Sequence, residues 1–333
     1  MTKVPVLVTG GAGYIGSHAV LALLDAGWPV AVIDNLVTGF RWAVPDGVPF
    51  YEGDIADAAL LARIFVEQDM SRGSGAIMHF AGSVVVPESV SDPLKYYGNN
   101  TANTRTLIAA AVTAGVPHFI FSSTAATYGE PEVSPVTETA PQRPINPYGM
   151  SKLMSEAMLS DTARAHSINY CALRYFNVAG ADPQARTGQS TAGATHLIKV
   201  AVEASLGLRS HVAVFGTDFD TSDGTGVRDY IHVSDLAAAH VLALEALIAD
   251  PARSLTMNCG YGHGYSVLEV LDAVDRVTNS TIERRLEPRR AGDPAALVAD
   301  NSLIRATLPW VPAYADLDTI VAHALAWERK LRG

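Results

Sequence analysis

The amino-acid sequence of 333 residues predicts an α/β fold in which a doubly wound parallel sheet is followed by a second, smaller mixed α/β lobe. Two observations support this prediction. Short apolar runs rich in β-branched residues alternate with helical patterns through the first half of the chain, as they do where helices cover both faces of a parallel sheet. The first of these runs leads directly into a glycine-rich turn and an amphipathic helix.

The individual elements follow in chain order. Strands are predicted at residues 4–8, 31–33, 76–82, 119–124 and 170–176, and helices at residues 17–26, 100–114 and 151–165. We expect the first lobe to span residues 1–175, with a chain return near residues 229–258, where Ile231-His232-Val233 begins a strand-like run before a helix. Residues 176–228 and 259–333 are expected to form the second lobe.

The turn after the first strand carries the first functional signal. Gly10, Gly13 and Gly16 form a variant of the Rossmann-type dinucleotide fingerprint, in which glycines let the backbone approach a pyrophosphate at a helix N-terminus. The second strand ends in Asp34, and a carboxylate there favours NAD over NADP because it repels a 2′-phosphate. A glycine-rich turn with a solvated aspartate is the plainer interpretation. Strand, turn, helix, strand and acid in this order favour the cofactor site.

A tyrosine and a lysine four residues apart form the second signal. Tyr148 and Lys152 share one face if their segment is helical. A tyrosine titrates near pH 10, and we expect the neighbouring ammonium to lower its pKa so that it can act as a base. Thr124, at the end of a predicted strand, can donate to a substrate oxygen or share a proton with Tyr148. A threonine that only caps a turn is the common alternative.

Composition limits the classes of protein. Hydrophobic residues make up 48% and charged residues 17%, as in a globular enzyme, and the net charge of −10 argues against nucleic acid as a partner and fits a cytoplasmic location. Cys171 and Cys259 lie in apolar runs and are predicted to be buried thiols. His79, His118 and His232 lack metal-ligand spacing, so no metal is predicted. Neither a signal peptide nor a membrane span is predicted.

With these motifs in view, the chain resembles the extended short-chain dehydrogenase/reductase family and, within it, the UDP-galactose (UDP-glucose) 4-epimerases. The resemblance runs nearly from end to end. It rests on TGGAGYIGSH (9–18), DN (34–35), GDI (53–55), HFAG (79–82), FSSTAATYGEP (121–131), INPYGMSK (145–152), LRYFNVAGADP (173–183), DGTGVRDYIHVSDLA (223–237) and RRAGDP (289–294). It implies NAD as a tightly held cofactor, a UDP-sugar as substrate, and interconversion of UDP-galactose and UDP-glucose.

The resemblance also implies roles for the matching residues. The expected cofactor-binding residues are Gly10, Gly13, Tyr14, Ile15, Asp34, Asn35, Asp54, Ile55, Phe80, Ala81, Asn99, Tyr148, Lys152 and Tyr175. The expected substrate-binding residues are Thr124, Tyr148, Asn177, His196, Leu197, Phe215, Arg228, Arg290, Asp293 and Leu297. The two arginines would contact the diphosphate, which suits their bidentate forks. Val84 departs from the family pattern, because many of these epimerases carry a cofactor-contacting lysine there.

The implied catalytic set is Tyr148, Lys152 and Thr124. Tyr148 would take the proton of the sugar 4-hydroxyl while the C4 hydride passes to NAD, and the hydride would return to the other face once the 4-keto sugar has turned. Lys152 would hold the hydroxyls of the nicotinamide ribose. Ala125 and Ala126 supply no acid next to Thr124, whereas related dehydratases and decarboxylases carry one there. Simple oxidation and reduction at one carbon is therefore favoured.

The sequence defines the sugar of the substrate and the oligomeric state less closely than it defines the cofactor site. Epimerisation of another UDP-sugar, such as an N-acetylhexosamine, a pentose or a hexuronate, is the nearest alternative. A non-catalytic NAD-binding regulator is a different class, which Tyr148 and Lys152 argue against. Leu297 stands where the family has a side chain lining the hexose pocket, and its bulk predicts a preference for plain hexoses with weak N-acetylhexosamine activity. The resemblance implies a homodimer through helices 100–114 and 151–165.

Overall fold

The computed structural model describes residues 3–290 and 293–333. The strands are β1 (Val6–Thr9), β2 (Val30–Asp34), β3 (Phe50–Glu52), β4 (Ala76–His79), β5 (His118–Thr124), β6 (Asn169–Tyr175), β7 (Asn177–Ala179), β8 (Val212–Phe215), β9 (Val227–Arg228), β10 (Tyr230–His232), β11 (Leu255–Cys259), β12 (Tyr265–Ser266), β13 (Arg284–Glu287) and β14 (Ala296–Leu297). The helices are α1 (Tyr14–Asp25), α2 (Ala58–Glu67), α3 (Val86–Ser91), α4 (Pro93–Tyr96), α5 (Asn103–Ala114), α6 (Pro147–Ala165), α7 (Leu197–Ser205), α8 (Val233–Ala249), α9 (Val267–Thr278), α10 (Ser302–Thr307) and α11 (Leu317–Arg332). Short 3₁₀ turns cover Arg41–Ala43 and Ala125–Thr127, and a π-helical segment covers Tyr97–Ala102.

One parallel sheet organises the first lobe. Its seven strands lie in the order β11-β6-β5-β4-β1-β2-β3, and β1 pairs in parallel with both β2 and β4. The chain therefore moves from β1 to one edge and then returns to the other side of β1. Ligands bind outside the carboxyl ends of the strands at such a reversal. The predicted doubly wound Rossmann-type sheet is confirmed.

Apolar side chains alternate between the two faces of this sheet. Val6 and Val8 pack in one cluster with residues of α1 and α8, whereas Leu7 packs in a second cluster with residues of α2, α5 and α6. Burying each such side chain contributes about 1.5–3 kcal/mol, so both layers stabilise the strands that end in the crevice. Burial on both faces is also why these strands have continuous apolar runs instead of an alternating pattern.

The helix predicted at residues 100–114 differs from its observed form. Its beginning lies inside the π-helical segment Tyr97–Ala102, and α5 starts only at Asn103. The π turn presents two consecutive amides to the loop after β4: Asn99 Nδ2 donates to Ser83 Oγ at 2.9 Å, and Asn100 Oδ1 accepts from the Ser83 nitrogen at 2.7 Å. Such single π turns are rare insertions within helices, and the apolar pattern of the whole segment does not locate this one.

The second lobe combines short strands with helices. β9 lies between β12 and β14, β8 pairs with β13, and β7 pairs with β10. Helices α7, α9 and α11 enclose an apolar cluster with β8. Between these parts, α8 packs against α1 and β11 joins the edge of the large sheet beside β6. The exact lobe boundaries given above stay a prediction. None of the described helices has the length and apolar character needed to cross a membrane.

Candidate active site

The glycine-rich turn packs its backbone against the chain that follows β4. Gly10 has a φ of +69°, and a Cβ added to it would lie 2.6 Å from the Ala81 nitrogen. Only glycine fits this position. The turn ends at Gly13, the N-cap of α1, so the first N–H groups of the helix, at Tyr14 and Ile15, have no capping side chain. This is an anion-binding arrangement that fits a pyrophosphate.

A buried carboxylate lies beside this turn. Asp34 Oδ2 accepts from the Ala12 nitrogen at 2.9 Å, and Oδ1 accepts from the Leu36 nitrogen at 2.8 Å. Burial raises the pKa of the Asp34 carboxyl, and the two backbone donors oppose that shift. Each oxygen keeps a further lone pair that can accept from a ribose hydroxyl. Asn35 Nδ2 donates to Asp54 Oδ2 at 3.1 Å, so these two expected cofactor residues are neighbours.

The remaining expected cofactor positions lie on the same edge of the sheet. The Phe80 nitrogen donates to the Thr9 oxygen at 2.9 Å, which continues the β1–β4 ladder beyond His79. His79 is buried and bonded to Thr9 Oγ1 at 2.6 Å, and burial lowers its pKa to about 3, so it is a neutral structural residue. Ile55 is buried. Val84 is exposed.

Two tight contacts bring Thr124 and Tyr148 together. Thr124 ends β5, and its Oγ1 accepts from the Ala126 nitrogen at 3.1 Å. Asn146 caps α6 by accepting from the Gly149 nitrogen at 2.8 Å. A Cβ on Gly149 would lie 2.5 Å from the Ala126 oxygen, so the first turn of α6, which carries Tyr148, packs directly on the turn after Thr124. Thr124 thus caps a turn, and that bond leaves its hydroxyl proton free for donation.

The titration of Tyr148 differs from the sequence-based expectation. Burial raises the pKa of the phenol, and the Thr124 hydroxyl is the group that lowers it. Lys152 Nζ donates to the Ser122 oxygen at 2.9 Å and lies 5.0 Å from the centroid of the Phe121 ring. Burial lowers the pKa of Lys152 to about 8. The Lys152 ammonium is thus directed at the β5 backbone in the chain by itself, and the expected lowering of the Tyr148 pKa by Lys152 stays a prediction for the NAD-bound site.

Ser122 is a site residue that sequence reasoning missed. Its backbone oxygen accepts from Lys152, and its Oγ is hydrogen bonded to the Tyr175 hydroxyl. Tyr175 also lies directly opposite Thr124 in the β5–β6 ladder. One serine thus connects the lysine with a second expected cofactor residue. The available signal was the polar pair Ser122-Ser123 at the end of an otherwise apolar strand.

The second lobe contributes a cluster of charges. Arg228 Nη2 lies 3.8 Å from Asp293 Oδ1, and Arg290 Nε donates to Asp293 Oδ2 at 3.2 Å. The Arg290 guanidinium lies 4.4 Å from the centroid of the Phe215 ring. Arg228 is mostly buried, and burial lowers its pKa. Two guanidinium groups held by one carboxylate leave an excess of positive charge, which fits a diphosphate. Ala291 and Gly292, also part of the RRAGDP motif, lie outside the described residues.

Leu297 lies next to this charge cluster. It is opposite Arg228 in the β9–β14 pair, and it packs against the small apolar cluster around Tyr128 and Val136. Tyr128 closely follows the turn after Thr124, so Leu297 reaches toward the catalytic end of β5.

A cavity connects the two lobes. Tyr14 lines it from the glycine-rich turn, and Asn177, His196 and Leu197 line it from β7 and the start of α7. The Tyr14 hydroxyl donates to the Gly180 oxygen at 2.7 Å. The cofactor turn and three of the expected substrate residues therefore face one space. Among residues 3–290 and 293–333, no three His, Cys, Asp or Glu side chains are grouped to hold a metal ion.

The comparisons with known proteins agree with this geometry. The NAD dependent epimerase/dehydratase family matches residues 6–260. A UDP-glucose 4-epimerase of Azospirillum brasilense is 57% identical over 98% of this chain and 92% of its own length. A crystal structure of a UDP-glucose 4-epimerase superimposes with a TM-score of 0.95 at 45% identity, covering 99% of this chain and 98% of that one. The Bifidobacterium longum UDP-glucose 4-epimerase, in complex with NAD⁺ and UDP, gives a TM-score of 0.91 at 39% identity over 98% of both chains.

The family match covers most of the chain, and the relatives are similar over nearly their full lengths. The resemblance inferred from the sequence motifs is therefore confirmed. The glycine-rich turn, the Asp34 carboxylate and Tyr148 in the crevice fit an NAD-dependent enzyme. The chain belongs to the NAD dependent epimerase/dehydratase family.

Proposed function

We propose that this protein is an NAD-dependent 4-epimerase that interconverts UDP-galactose and UDP-glucose by transient oxidation at C4. The observation that carries the proposal is the packing of the first turn of α6, which carries Tyr148, on the turn after Thr124, with the Thr124 hydroxyl close enough to lower the pKa of Tyr148. The similar enzymes of known structure, one of them holding NAD⁺ and UDP, support the same assignment.

In this proposal NAD, when bound, accepts and returns the hydride at C4. The protein's own groups orient the sugar and move one proton. Tyr148, as its phenolate, takes the proton of the 4-hydroxyl at its phenol oxygen and gives it back after the keto sugar has turned. The positive charges of the Lys152 ammonium and of bound NAD would favour the phenolate against the effect of burial. The single proton of the Thr124 hydroxyl lowers the pKa of Tyr148 in the free site, and it can be donated to the same sugar oxygen once the substrate is bound. Lys152 lies one helical turn from Tyr148, where its ammonium can donate to the ribose hydroxyls of the cofactor.

The nucleotide would be held by the charge cluster of the second lobe. Arg228 and Arg290 would exchange Asp293 for the diphosphate, and the Phe215 ring would flank the uracil. Asn177 and the start of α7 at Leu197, which line the cavity shared with Tyr14, would also contact the UDP-sugar. Binding at these remote groups allows the hexose itself to be held loosely enough to turn.

The direct test is incubation of the purified protein, supplied with NAD, with UDP-galactose alone. We expect UDP-glucose to form until the two sugars reach equilibrium, without net reduction of NAD, as resolved by chromatography of the nucleotide sugars. Absence of interconversion would refute the proposal. A steady yield of NADH would indicate a dehydrogenase instead.

Sugar selectivity is tested at Leu297. We propose a strong preference for the plain hexoses, because the leucine beside Arg228 narrows the expected sugar pocket. Leu297→Ser should raise the kcat/KM for UDP-N-acetylgalactosamine by about 10-fold, since a few heavy atoms in a hydrophobic pocket are worth roughly 1–3 kcal/mol. Equal kcat/KM values for UDP-galactose and UDP-N-acetylgalactosamine in the unmodified protein would show that Leu297 does not select the sugar.

We also propose that the protein forms a two-fold dimer through α5 and α6. A groove between these helices is lined by Arg105, Ile108, Ala109, Val112, Thr113, Met158, Asp161, Thr162 and His166. Met150 and Met154 extend the apolar surface along α6. A two-fold axis would bring each groove against its own copy, so the apolar stripe and the opposite charges of Arg105 and Asp161 can complement themselves. A light-scattering mass of one 35.2 kDa chain at micromolar concentration would contradict this. The cytoplasmic location stays a prediction from composition.

A further inference from the structure

Three aromatic rings form a continuous stack between the two lobes. The ring centroids of Phe40 and Trp42 are 5.2 Å apart, and those of Trp42 and Trp327 are 5.7 Å apart with an interplanar angle of 28°. Trp42 lies in the 3₁₀ turn after β2, whereas Trp327 lies in the C-terminal helix α11. Trp327 is buried and Trp42 is 51% exposed, so Trp42 covers the outer face of a ring that belongs to the other lobe.

On the cofactor side, backbone hydrogen bonds connect the stack to Asp34, the acid that is expected to bind the adenosine ribose. The Phe40 nitrogen donates to the Ala12 oxygen at 2.9 Å, and Ala12 in turn donates to Asp34. A Cβ on Gly39 would lie 2.9 Å from both the Ala12 carbonyl carbon and Asp34 Oδ1. The segment from Leu36 to Phe40 therefore lies directly on the Asp34 carboxylate and on the glycine-rich turn. A support at the far end of this segment therefore also restrains its near end, where the Leu36 nitrogen donates to Asp34.

On the other side, the stack ends on a rigid support. Trp327 Nε1 donates to Ser190 Oγ at 3.2 Å, and its ring packs so closely on Gly188 that a Cβ there would overlap it. Helix α11 packs on α7 and α9, and Trp327 lines the cavity that it shares with Tyr14. Trp327 thus cannot shift without moving the second lobe.

We propose that Trp42 is a positioning residue for the adenosine half of NAD: by stacking on Trp327, it holds the segment 36–40 closed over the glycine-rich turn and keeps Asp34 aimed at the ribose. This inference rests on the proposed function, because it takes NAD as the ligand of the crevice. A tryptophan that is half exposed gains little by burial alone, whereas stacked rings stabilise each other beyond their buried area. Trp42 touches none of the reacting atoms, so its effect is on cofactor retention and not on the proton transfer.

The test measures NAD release from the loaded protein. Wild type, Trp42→Ala, Trp42→Phe and Val37→Ala are saturated with NAD, freed of excess by gel filtration, diluted at 25 °C, and sampled for NAD still bound per chain. Val37 is the matched control, because it lies in the same segment, is 79% exposed and is a β-branched apolar side chain. Trp42→Phe keeps an aromatic face for Trp327.

We expect Trp42→Ala to release NAD about two- to tenfold faster than wild type, the range that one aromatic pair supplies. Trp42→Phe and Val37→Ala should release it within about twofold of wild type, and kcat in saturating NAD should be the same in all four proteins. A merely structural role would lower the thermal unfolding temperature of Trp42→Ala without changing NAD release at 25 °C. Wild-type release from Trp42→Ala, or equally fast release from Trp42→Phe, would overturn the inference. If wild type and Val37→Ala also retain no NAD, the proposed function itself fails.

Discussion

The two halves of the candidate site are built in different ways. On the cofactor side, backbone groups at the ends of parallel strands form the site, as where Gly10 meets Ala81 and where two backbone nitrogens hold Asp34. On the diphosphate side, side chains from distant segments form it, with Arg228 and Arg290 both directed at Asp293. The cofactor half is thus preorganised by the fold, whereas the half that we propose for the diphosphate would exchange ion pairs when its ligand binds.

This difference determines what a substitution does in each region. A change on the cofactor side acts through backbone geometry and should affect binding and folding together. A change on the diphosphate side acts through charge and should affect substrate binding alone. Tyr148, the proposed base, is expected to contact both ligands, and loss of its hydroxyl alone should reduce turnover far more than it weakens either binding step. The following predictions test this division in order of expected effect.

Tyr148→Phe should show the largest loss of turnover. The substitution removes the proton acceptor and keeps the ring, so we expect kcat to fall by about 10²–10⁴-fold, the usual contribution of a general base. Binding of NAD and of UDP should change far less, as measured by calorimetry. Wild-type rates in this variant would show that another group is the base.

Gly10→Ala should disrupt the glycine-rich turn that is expected to bind NAD. The new Cβ would lie 2.6 Å from the Ala81 nitrogen, and the residue would have to keep a φ of +69°, so roughly 1–3 kcal/mol of backbone strain would add to a clash that only a backbone shift can relieve. We expect the variant to lose bound NAD and to unfold at a lower temperature.

Gly47→Ala is the control for that variant. Gly47 also has a positive φ, of +85°, but nothing lies within 4 Å of the position of its Cβ. It therefore carries the conformational strain without the clash and should retain NAD. If both variants retain NAD equally, the close contact between Gly10 and the Ala81 backbone is not required for NAD binding.

Arg228→Met should weaken binding of the UDP-sugar without changing the binding of NAD. The arginine is only 15% exposed, so its bonds to a diphosphate are poorly screened, and we expect KM for UDP-galactose to rise about 10- to 150-fold. Arg290→Met, at a 52% exposed side chain, should raise KM less. NAD per chain should stay at the wild-type level in both. Loss of NAD in either variant would contradict the separation of the two halves.

Thr124→Ala should give the smallest change in rate and a characteristic change with pH. Because the Thr124 hydroxyl lowers the pKa of Tyr148, its removal raises that pKa, and the base is then formed only at higher pH. We expect kcat/KM to fall about two- to tenfold at neutral pH and its rising limb to move to higher pH. An unchanged pH profile would show that Thr124 does not influence the proton acceptor.

The sequence could predict the features that depend on local patterns, but not those that depend on packing between distant segments. The β-branched runs, Gly10 and Asp34 are local patterns, and they predicted the sheet and its turn because strand ends in a parallel sheet meet at one edge. The orientation of Lys152 toward the Ser122 oxygen was not predictable, because it depends on the packing of α6 against β5. The Trp42–Trp327 stack joins residues nearly the whole chain apart, and no local pattern indicates such a contact.

In the second lobe, the individual arginines were identified through motif resemblance and not through any physical pattern. Spacing alone does not show that Arg228 and Arg290 share Asp293, because β9 and the segment before β14 come together only in the folded chain. Roles assigned there stay predictions until they are tested one residue at a time.

The most direct test of the central claim follows the hydrogen at C4. UDP-galactose carrying deuterium at C4 is converted by the NAD-loaded protein in ordinary water, and the UDP-glucose formed is examined by NMR and mass spectrometry. Oxidation and reduction at C4 within one site predict that the deuterium stays at C4 of the product, while the proton that Tyr148 handles exchanges freely from the hydroxyl. Loss of the deuterium to solvent, or its appearance at another carbon, would contradict this account.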